Sequence, residues 1–305
     1  MKSSSKTKNA KNLILDILFL LSGLSLFLFY RNMFFLHIIV VSLMIIMLVK
    51  CYYWGLKNGL IWITLIILPF IILMFKDSVL TKNEFSEALL ILVPSITVGL
   101  LADKQRRYIK QLKETYISTL KALAAITDAR DSYTQGHSER VARYSVLIAR
   151  EMRLSDNEIN FLEQASLLHD IGKIAVPDSI LHKKEPLNEE EWIIIKRHPE
   201  YSQKILSNLS FLSDILPIIL YHHNRFDSKD FTLEQRPGAA MATRILTLAD
   251  AFDAMTSQRP YRNKLSAEEA LEELKRCSSA QFDPEVVEAF EKVYGNIKNG
   301  LKDSL

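Results

Sequence analysis

The run Leu167-Leu168-His169-Asp170-Ile171-Gly172-Lys173 sets an imidazole beside a carboxylate at the end of an apolar helical stretch. Burying such a pair is costly unless something coordinates both groups. Four more histidines, His137, His198, His222 and His223, lie in the same C-terminal half, and Asp250 sits inside a later apolar run. Mixed imidazole and carboxylate ligation suits iron, manganese or zinc, and one carboxylate can bridge two ions. A histidine taken singly is more often a core or surface residue than a ligand. His182, in a polar stretch before Pro186, reads as such a surface residue.

Around this run the pattern is helical, with no convincing alternation for strands, so the C-terminal half reads as all-α. Thr134 is placed to cap a helix carrying His137, with Val141, Tyr144 and Ile148 on its inward face. Leu162, Ala165, Ser166 and His169 share a face of the next helix, which Gly172 can end. Asn188 followed by Glu189, Glu190 and Glu191 reads as a capped start leading towards His198. Pro199 pushes His198 out of helical geometry and suits the first turn of another helix, so His198 falls at a junction. Further helices are expected over Ile215–His223, Ala239–Met255, Leu265–Arg276 and Pro284–Val293.

The N-terminal half has a different composition. Residues 13–75 are almost entirely apolar, interrupted by Asp16, Arg31, Lys50 and Lys57. The runs 13–30, 33–49 and 59–75 are each about long enough for a hydrocarbon core of ~30 Å. A fourth candidate, 86–102, contains Pro94. Lys2, Lys6, Lys8 and Lys11 precede the first run, and Lys104, Arg106, Arg107, Lys110 and Lys113 follow the fourth. The positive-inside rule then expects both termini and the C-terminal domain in the cytoplasm, in a multi-pass protein of the cell membrane with an even number of crossings. No small-residue cleavage pattern follows the first run, which argues against a signal peptide. The outer loops are too short for a sensor domain. Asp16 and His37 lie within spans but near their ends, where water is within reach, so they carry no functional assignment.

These features divide the chain into a four-helix transmembrane region over 1–103, a linker helix over 104–120 and a helical domain over 121–305. Along the linker Tyr108, Leu112, Tyr116, Leu120 and Leu123 recur every three or four residues. Such a stripe can pack against its twin in a homodimer or lie on its own domain. The net charge of +3 belongs to the membrane half: residues 1–103 hold nine basic and five acidic residues, leaving 29 and 30 for the rest. A near-neutral domain has no broad electrostatic footprint for a nucleic acid polymer. Cys51 and Cys277 have neither metal nor redox spacing and read as free thiols.

Over roughly residues 121–295 the sequence resembles the HD-GYP family, a branch of the HD metal-dependent phosphohydrolases. The resemblance rests on six blocks in order: Ala129 to Val141 including Gly136-His137; His169 to Lys173; His198-Pro199; Tyr221-His222-His223; Ala249 to Thr256; and Arg259-Pro260-Tyr261-Arg262. An HD dipeptide alone is a weak signal, whereas the ordered set is specific. One block departs from the pattern. After the double histidine, where the family has a glycine-rich loop containing Gly-Tyr-Pro, this chain has Asn224 to Thr232, with no glycine before Gly238. A segment of this composition is expected to be solvated and mobile over 224–237.

The resemblance implies an all-helical phosphohydrolase domain and a cyclic dinucleotide substrate, cyclic di-GMP above all. It also implies two divalent ions, iron or manganese in preference to zinc or magnesium. Asp170 would bridge the ions, with His137, His169 and Asp250 completing one site and His198, His222 and His223 the other. Some members hold a third ion on a glutamate one turn before the first histidine; Tyr133 stands there, which favours two. Lys173 is expected at the scissile phosphate or the attacking hydroxide, making Asp170 and Lys173 the catalytic pair. Arg259 and Arg262 match the family's phosphate-contacting residues, for which a guanidinium fork is suited. Asp253, one turn after Asp250, is expected either at water or substrate or in a structural role. Two other readings stand beside the phosphodiesterase: a non-hydrolytic module binding a cyclic dinucleotide or a protein, and a hydrolase of another nucleotide.

Overall fold

In the computed structural model, residues 17–18, 20–21, 33–55, 57, 61, 82–131, 136–183, 185–228, 237–258 and 264–302 are described. Among them there is no strand, only an isolated bridge between Ser278 and Phe282. The chain divides into two compact units, Met1–Glu114 and Thr115–Leu305.

In the first unit, helix α1 runs over Met33–Trp54. Its buried side chains Leu43, Met47 and Cys51 recur every fourth residue, while Val41 and Ile45 are exposed, so the helix is apolar on both faces. Gly55 follows it at φ 85, a conformation that suits glycine. Among the described residues no helix is long and apolar enough to cross a membrane. Nearly all of the candidate spans 13–30 and 59–75, and Asp16, lie outside the described residues, as does the side chain of His37.

Helix α2, Lys82–Arg130, contains Pro94 and runs unbroken through the stretch expected as a separate linker. Its apolar stripe is divided. Leu120 and Ala124 belong to the core of the second unit, with Tyr116, Ile117 and Leu123 packed against it. Tyr108 and Leu112 are exposed.

The second unit continues with α3 (His137–Glu151), α4 (Asp156–Leu168), a 3₁₀ turn (Ile171–Ala175), α5 (Asp178–Leu181), α6 (Glu189–Lys196), α7 (His198–Leu206), α8 (Leu216–Leu220), α9 (Pro237–Thr256), α10 (Ala267–Arg276) and α11 (Pro284–Lys302). The inward face of α3 is Val141, Tyr144, Ser145 and Ile148, as its helical spacing expects, and Arg143 and Arg150 point out. Tyr144 meets Phe252 of α9 edge-on, and Phe252 meets Phe290 of α11. Fully burying an aromatic or branched side chain of this size contributes about 1.5–3 kcal/mol. This packing makes α3, α4 and α9 the frame of the site.

Helix starts are defined by local chemistry. Asn188 and Glu191 form the expected reciprocal cap of α6, each side chain accepting the other's backbone N–H at 2.8 Å. Ser155 with Glu158 and Ser266 with Glu269 form two more. Thr134 lies outside the described residues; Gly136 occupies the N-cap of α3, at φ 70. The first turn of α3 is held instead by Asp128 of α2, which accepts from Ser138 Oγ at 2.7 Å and Ser138 N at 3.2 Å.

Two expectations about helix ends are corrected. Helix α8 stops at Leu220, with Tyr221 as its C-cap, so His222 and His223 stand in a turn beyond it. Gly172 does not end α4 by a left-handed turn, since the C-cap is His169 in right-handed geometry and Gly172 has no positive φ. It is required by contact: a Cβ there would lie 2.0 Å from the His198 carbonyl oxygen and 2.5 Å from Ser202 N.

Candidate metal centre

Three histidines are placed by one recurring device at a helix end. His169, His198 and His222 each donate Nδ1–H to the carbonyl three residues earlier, Ser166 at 2.8 Å, Ile195 at 2.9 Å and Ile219 at 2.6 Å. Carbonyls in a last helical turn have accepting capacity to spare, and each bond uses it to fix the ring. His137, at the other kind of helix end, uses a carboxylate: its Nδ1 lies 2.8 Å from Asp253 Oδ2. In all four this leaves Nε2 turned to the interior.

These Nε2 atoms converge. His137 and His169 bring theirs within 3.4 Å of each other, His198 and His222 within 3.4 Å, and His198 and His223 within 3.3 Å. The bridge between the two sets is Asp170. Its Oδ2 faces His169 Nε2 at 3.5 Å and His137 Nε2 at 3.8 Å, and its Oδ1 faces His198 Nε2 at 3.2 Å. Asp250 Oδ1 stands 3.3 Å from His137 Nε2 and 3.9 Å from His169 Nε2. Ligand-capable atoms close enough to share an ion occur in His137, His169 and Asp170, in His198, His222 and His223, and in His169, His222 and Asp250. His137, His169, Asp170, His198 and His222 are buried, whereas His223 is exposed and opens the cluster to solvent.

The charges ask for cations. Among the described residues, Asp131 and Asp170 pair with Lys173 and Asp253 with Arg140, while Asp250 faces the imidazoles of His137 and His169. Burial alone would push Asp170 up; the Lys173 ammonium and the His169 and His198 imidazoles outweigh it and hold the carboxyl well below its usual range. Asp250 is likewise held down against burial, mainly by His137. Burial keeps His169 and His222 on the neutral side, the latter aided by His223 beside it. His137 is the exception, because hydrogen bonds to Asp250 and Asp253 overcome burial and push it up to about 10. Carboxylates that favour a proton on a ring nitrogen favour a metal cation there for the same reason. Ionised carboxylates and neutral imidazoles are the ligating forms, so the donor set fits divalent ions.

Around the ligands the structure adds residues to which no role was given from sequence. Arg130, at the end of α2, donates to the carbonyls of Lys173 at 2.9 Å and Val176 at 2.7 Å, to that of Ile174, and to Asp178 Oδ1 at 2.8 Å. It thereby pins the turn that follows Asp170. Lys173 Nζ is shared between Asp170 Oδ2 at 2.7 Å and Asp131 Oδ2 at 3.1 Å. Ser202 accepts from Gly172 N at 2.8 Å and donates to the His169 carbonyl at 3.0 Å, tying α7 to the HD run. Thr247 of α9 donates to the His222 carbonyl at 2.7 Å.

Asp253 is fully buried and its oxygens are engaged by His137, by Arg140 at 2.7 and 2.9 Å, and by Ser257 at 3.2 Å. These contacts hold the His137 ring through its Nδ1. Arg259, Arg262 and Tyr133 lie outside the described residues. His182 is exposed, as its polar surroundings suggest. The segment after His223 is not simply solvated where it is described. Phe226 N donates to Gln281 O at 3.1 Å and Asp227 N to Ala280 O at 2.9 Å.

A model of the HD domain matches residues 121–286. A 3′3′-cGAMP-specific phosphodiesterase of Vibrio cholerae is 37% identical over 183 residues, 59% of this chain and 40% of the relative. A cyclic di-GMP phosphodiesterase of Thermotoga maritima is 37% identical over 198 residues, 64% of this chain and 54% of the relative. The chain thus spans about half the length of these curated relatives. A crystal structure of a cyclic GMP-AMP specific phosphodiesterase of V. cholerae aligns with 84% of this chain and 60% of its own, at 29% identity and a TM-score of 0.40. With the family match extending over more than half its length, and the histidines and carboxylates of that match gathered at one centre, the chain belongs to the HD domain family.

Proposed function

We propose that this chain is a membrane-anchored, metal-dependent cyclic dinucleotide phosphodiesterase. The observation that carries the reading is the placement of Asp170, with one carboxylate oxygen towards His137 and His169 and the other towards His198. His137, His169 and Asp250 would hold one divalent ion, His198, His222 and His223 a second, and Asp170 both; iron or manganese suits the donors best. Divalent ions held there would supply an activated water and charge compensation for the phosphoryl oxygens. The substrate class is supported by the names of the relatives, which act on cyclic di-GMP or 3′3′-cGAMP. In the reaction an oxygen from water bonds to phosphorus, the bond from phosphorus to a ribose 3′ oxygen breaks, and that oxygen takes a proton.

The chain's own residues divide this work. Lys173, held at the bridging carboxylate, supplies a fixed positive charge for the phosphate. Asp253 and Arg140 keep His137 oriented. Arg259 and Arg262, matched to the family's phosphate-contacting residues by sequence, are assigned to the substrate phosphates. Incubating the purified full chain with manganese or iron and a panel of cyclic dinucleotides tests the reading. Linear dinucleotide or mononucleotide product supports it, and its absence after prolonged reaction sinks it.

A second reading, a non-hydrolytic module that binds a cyclic dinucleotide or a partner, is favoured by the sequence after His223, where the Gly-Tyr-Pro loop is degenerate. Calorimetry on metal-loaded protein separates the two, since binding without turnover selects the module and rapid turnover removes it. A hydrolase of another nucleotide is separated by the same substrate panel.

The membrane anchor is supported by the apolar runs of residues 13–75 and the basic residues that flank them in the sequence. Arg106, in the basic cluster after the fourth candidate span, donates to the Tyr52 carbonyl near the end of α1. That contact is compatible with an even number of crossings, which would put the basic cluster and the second loop on one side. Full-length protein is expected to stay in the membrane fraction through alkaline carbonate extraction; release into the supernatant would refute the anchor. Exposed Tyr108 and Leu112 leave a surface for a second copy along the linker. Sedimentation of the detergent-solubilised chain as a monomer would exclude that dimer.

A further inference from the structure

Four of the five clustered imidazoles have their Nδ1 held by a hydrogen bond, to Asp253 or to a carbonyl three residues back. His223 is different. Among the described residues its Nδ1 has no such bond, its ring leans on His222 at 3.9 Å between centroids, and it is exposed. A ligand oriented by neither a carbonyl nor a carboxylate must be aimed by its backbone, and the backbone after it is anchored at several points. Asn224 N donates to Tyr221 O at 2.9 Å, closing the turn. Phe226 N and Asp227 N then pair with the carbonyls of Gln281 and Ala280. The Phe226 ring lies under the Arg244 guanidinium, 5.1 Å from centroid to Cζ, and that guanidinium is fixed by buried Asp283 at 2.8 Å. Asp283 is itself immobilised, since it accepts from Glu285 N at 2.8 Å at the start of α11. One turn along α9 from Arg244, Thr247 holds the His222 carbonyl.

We infer that Phe226, pegged by Arg244 and Asp283 to the 277–283 turn, is a positioning residue for His223 and so sets the affinity of the His198/His222/His223 ion. The peg supplies from the tertiary structure what the other histidines obtain from a hydrogen bond on Nδ1. It lies in the segment that departs from the family's Gly-Tyr-Pro pattern, so in this chain aromatic packing fixes the stretch after the double histidine. The inference rests on the two-ion reading of the site.

The test is calorimetric titration of the metal-stripped full chain with manganese, which reads binding without turnover. Loss of an outer partner of a metal ligand typically costs about 10–100-fold in affinity. Phe226→Ala and Arg244→Met are expected to weaken one of two binding events by that factor and leave the other unchanged. Phe226→Tyr, which keeps the ring, is expected to restore both. His223→Ala supplies the reference, because the same event should weaken in it. Two events unchanged in Phe226→Ala would overturn the inference, and so would equal weakening of both, which signals general loosening. A wild-type chain that takes up no manganese would remove the two-ion reading, and this inference with it. That outcome is recognisable before any variant is compared.

Discussion

The Gly172 Cα and the His198 carbonyl lie so close that a methyl group on the former would sit 2.0 Å from the latter's oxygen. The HD run and the start of α7 are thereby locked in register, with Ser202 bonded across the same gap to Gly172 N and His169 O. The distance between the two halves of the ligand set is fixed at this contact.

Gly172→Ala is therefore expected to destabilise the domain by about 1–3 kcal/mol, the usual cost of overpacking. It should also loosen the ion ligated by His198. Thermal melting together with elemental analysis checks both. A variant with unchanged melting and full metal content would show that α7 moves aside freely.

Asp170→Ala should remove both ions together, because its two oxygens face the two histidine sets. His137→Ala should weaken only the ion shared with His169 and Asp250. Metal content of the purified proteins decides, and full occupancy in Asp170→Ala would refute the bridge.

Arg130→Ala removes the donor that holds the stretch of chain after Asp170, with acceptors at Lys173, Ile174, Val176 and Asp178. Hydrogen bonds to a charged group contribute about 1.5–3 kcal/mol. Partial exposure of the guanidinium places the expected loss at the low end of that range. Activity should fall more than stability, since Lys173 is carried on the released turn. Chemical denaturation and steady-state kinetics on one preparation test this; parallel losses would reduce Arg130 to a purely structural role.

In chelator the stability of the chain should peak near pH 6.5 and fall on either side. His137, raised to about 10, contributes stability that is fully present below the unfolded value of ~6.5 and is lost as pH rises towards 10. His169 and His222 are shifted the other way. They must take up protons on unfolding, so their contribution is lost as pH falls below ~6.5. A denaturation series across pH 5 to 9 measures it. A monotonic profile would mean that one of the two opposing groups is misassigned.

Sequence alone determined the helical class of the C-terminal half, because amphipathic spacing and caps such as Asn188 with Glu191 act within a turn or two of chain. It also marked the seven ligand candidates by residue type and order, and the apolar composition of the N-terminal half. It could not assign Asp253 between substrate and scaffold: its partner His137 is 116 residues away, and no local pattern records which oxygen faces which ring. The glycine at 172 read as a helix stop, since the carbonyl that forbids a side chain there belongs to His198. The end of α8 at Leu220, the clamp of Arg130 and the peg of Phe226 under Arg244 likewise depend on non-local contacts. Convergence of nitrogen and oxygen atoms on one centre is a property of packed helices, and only the tertiary structure decided it.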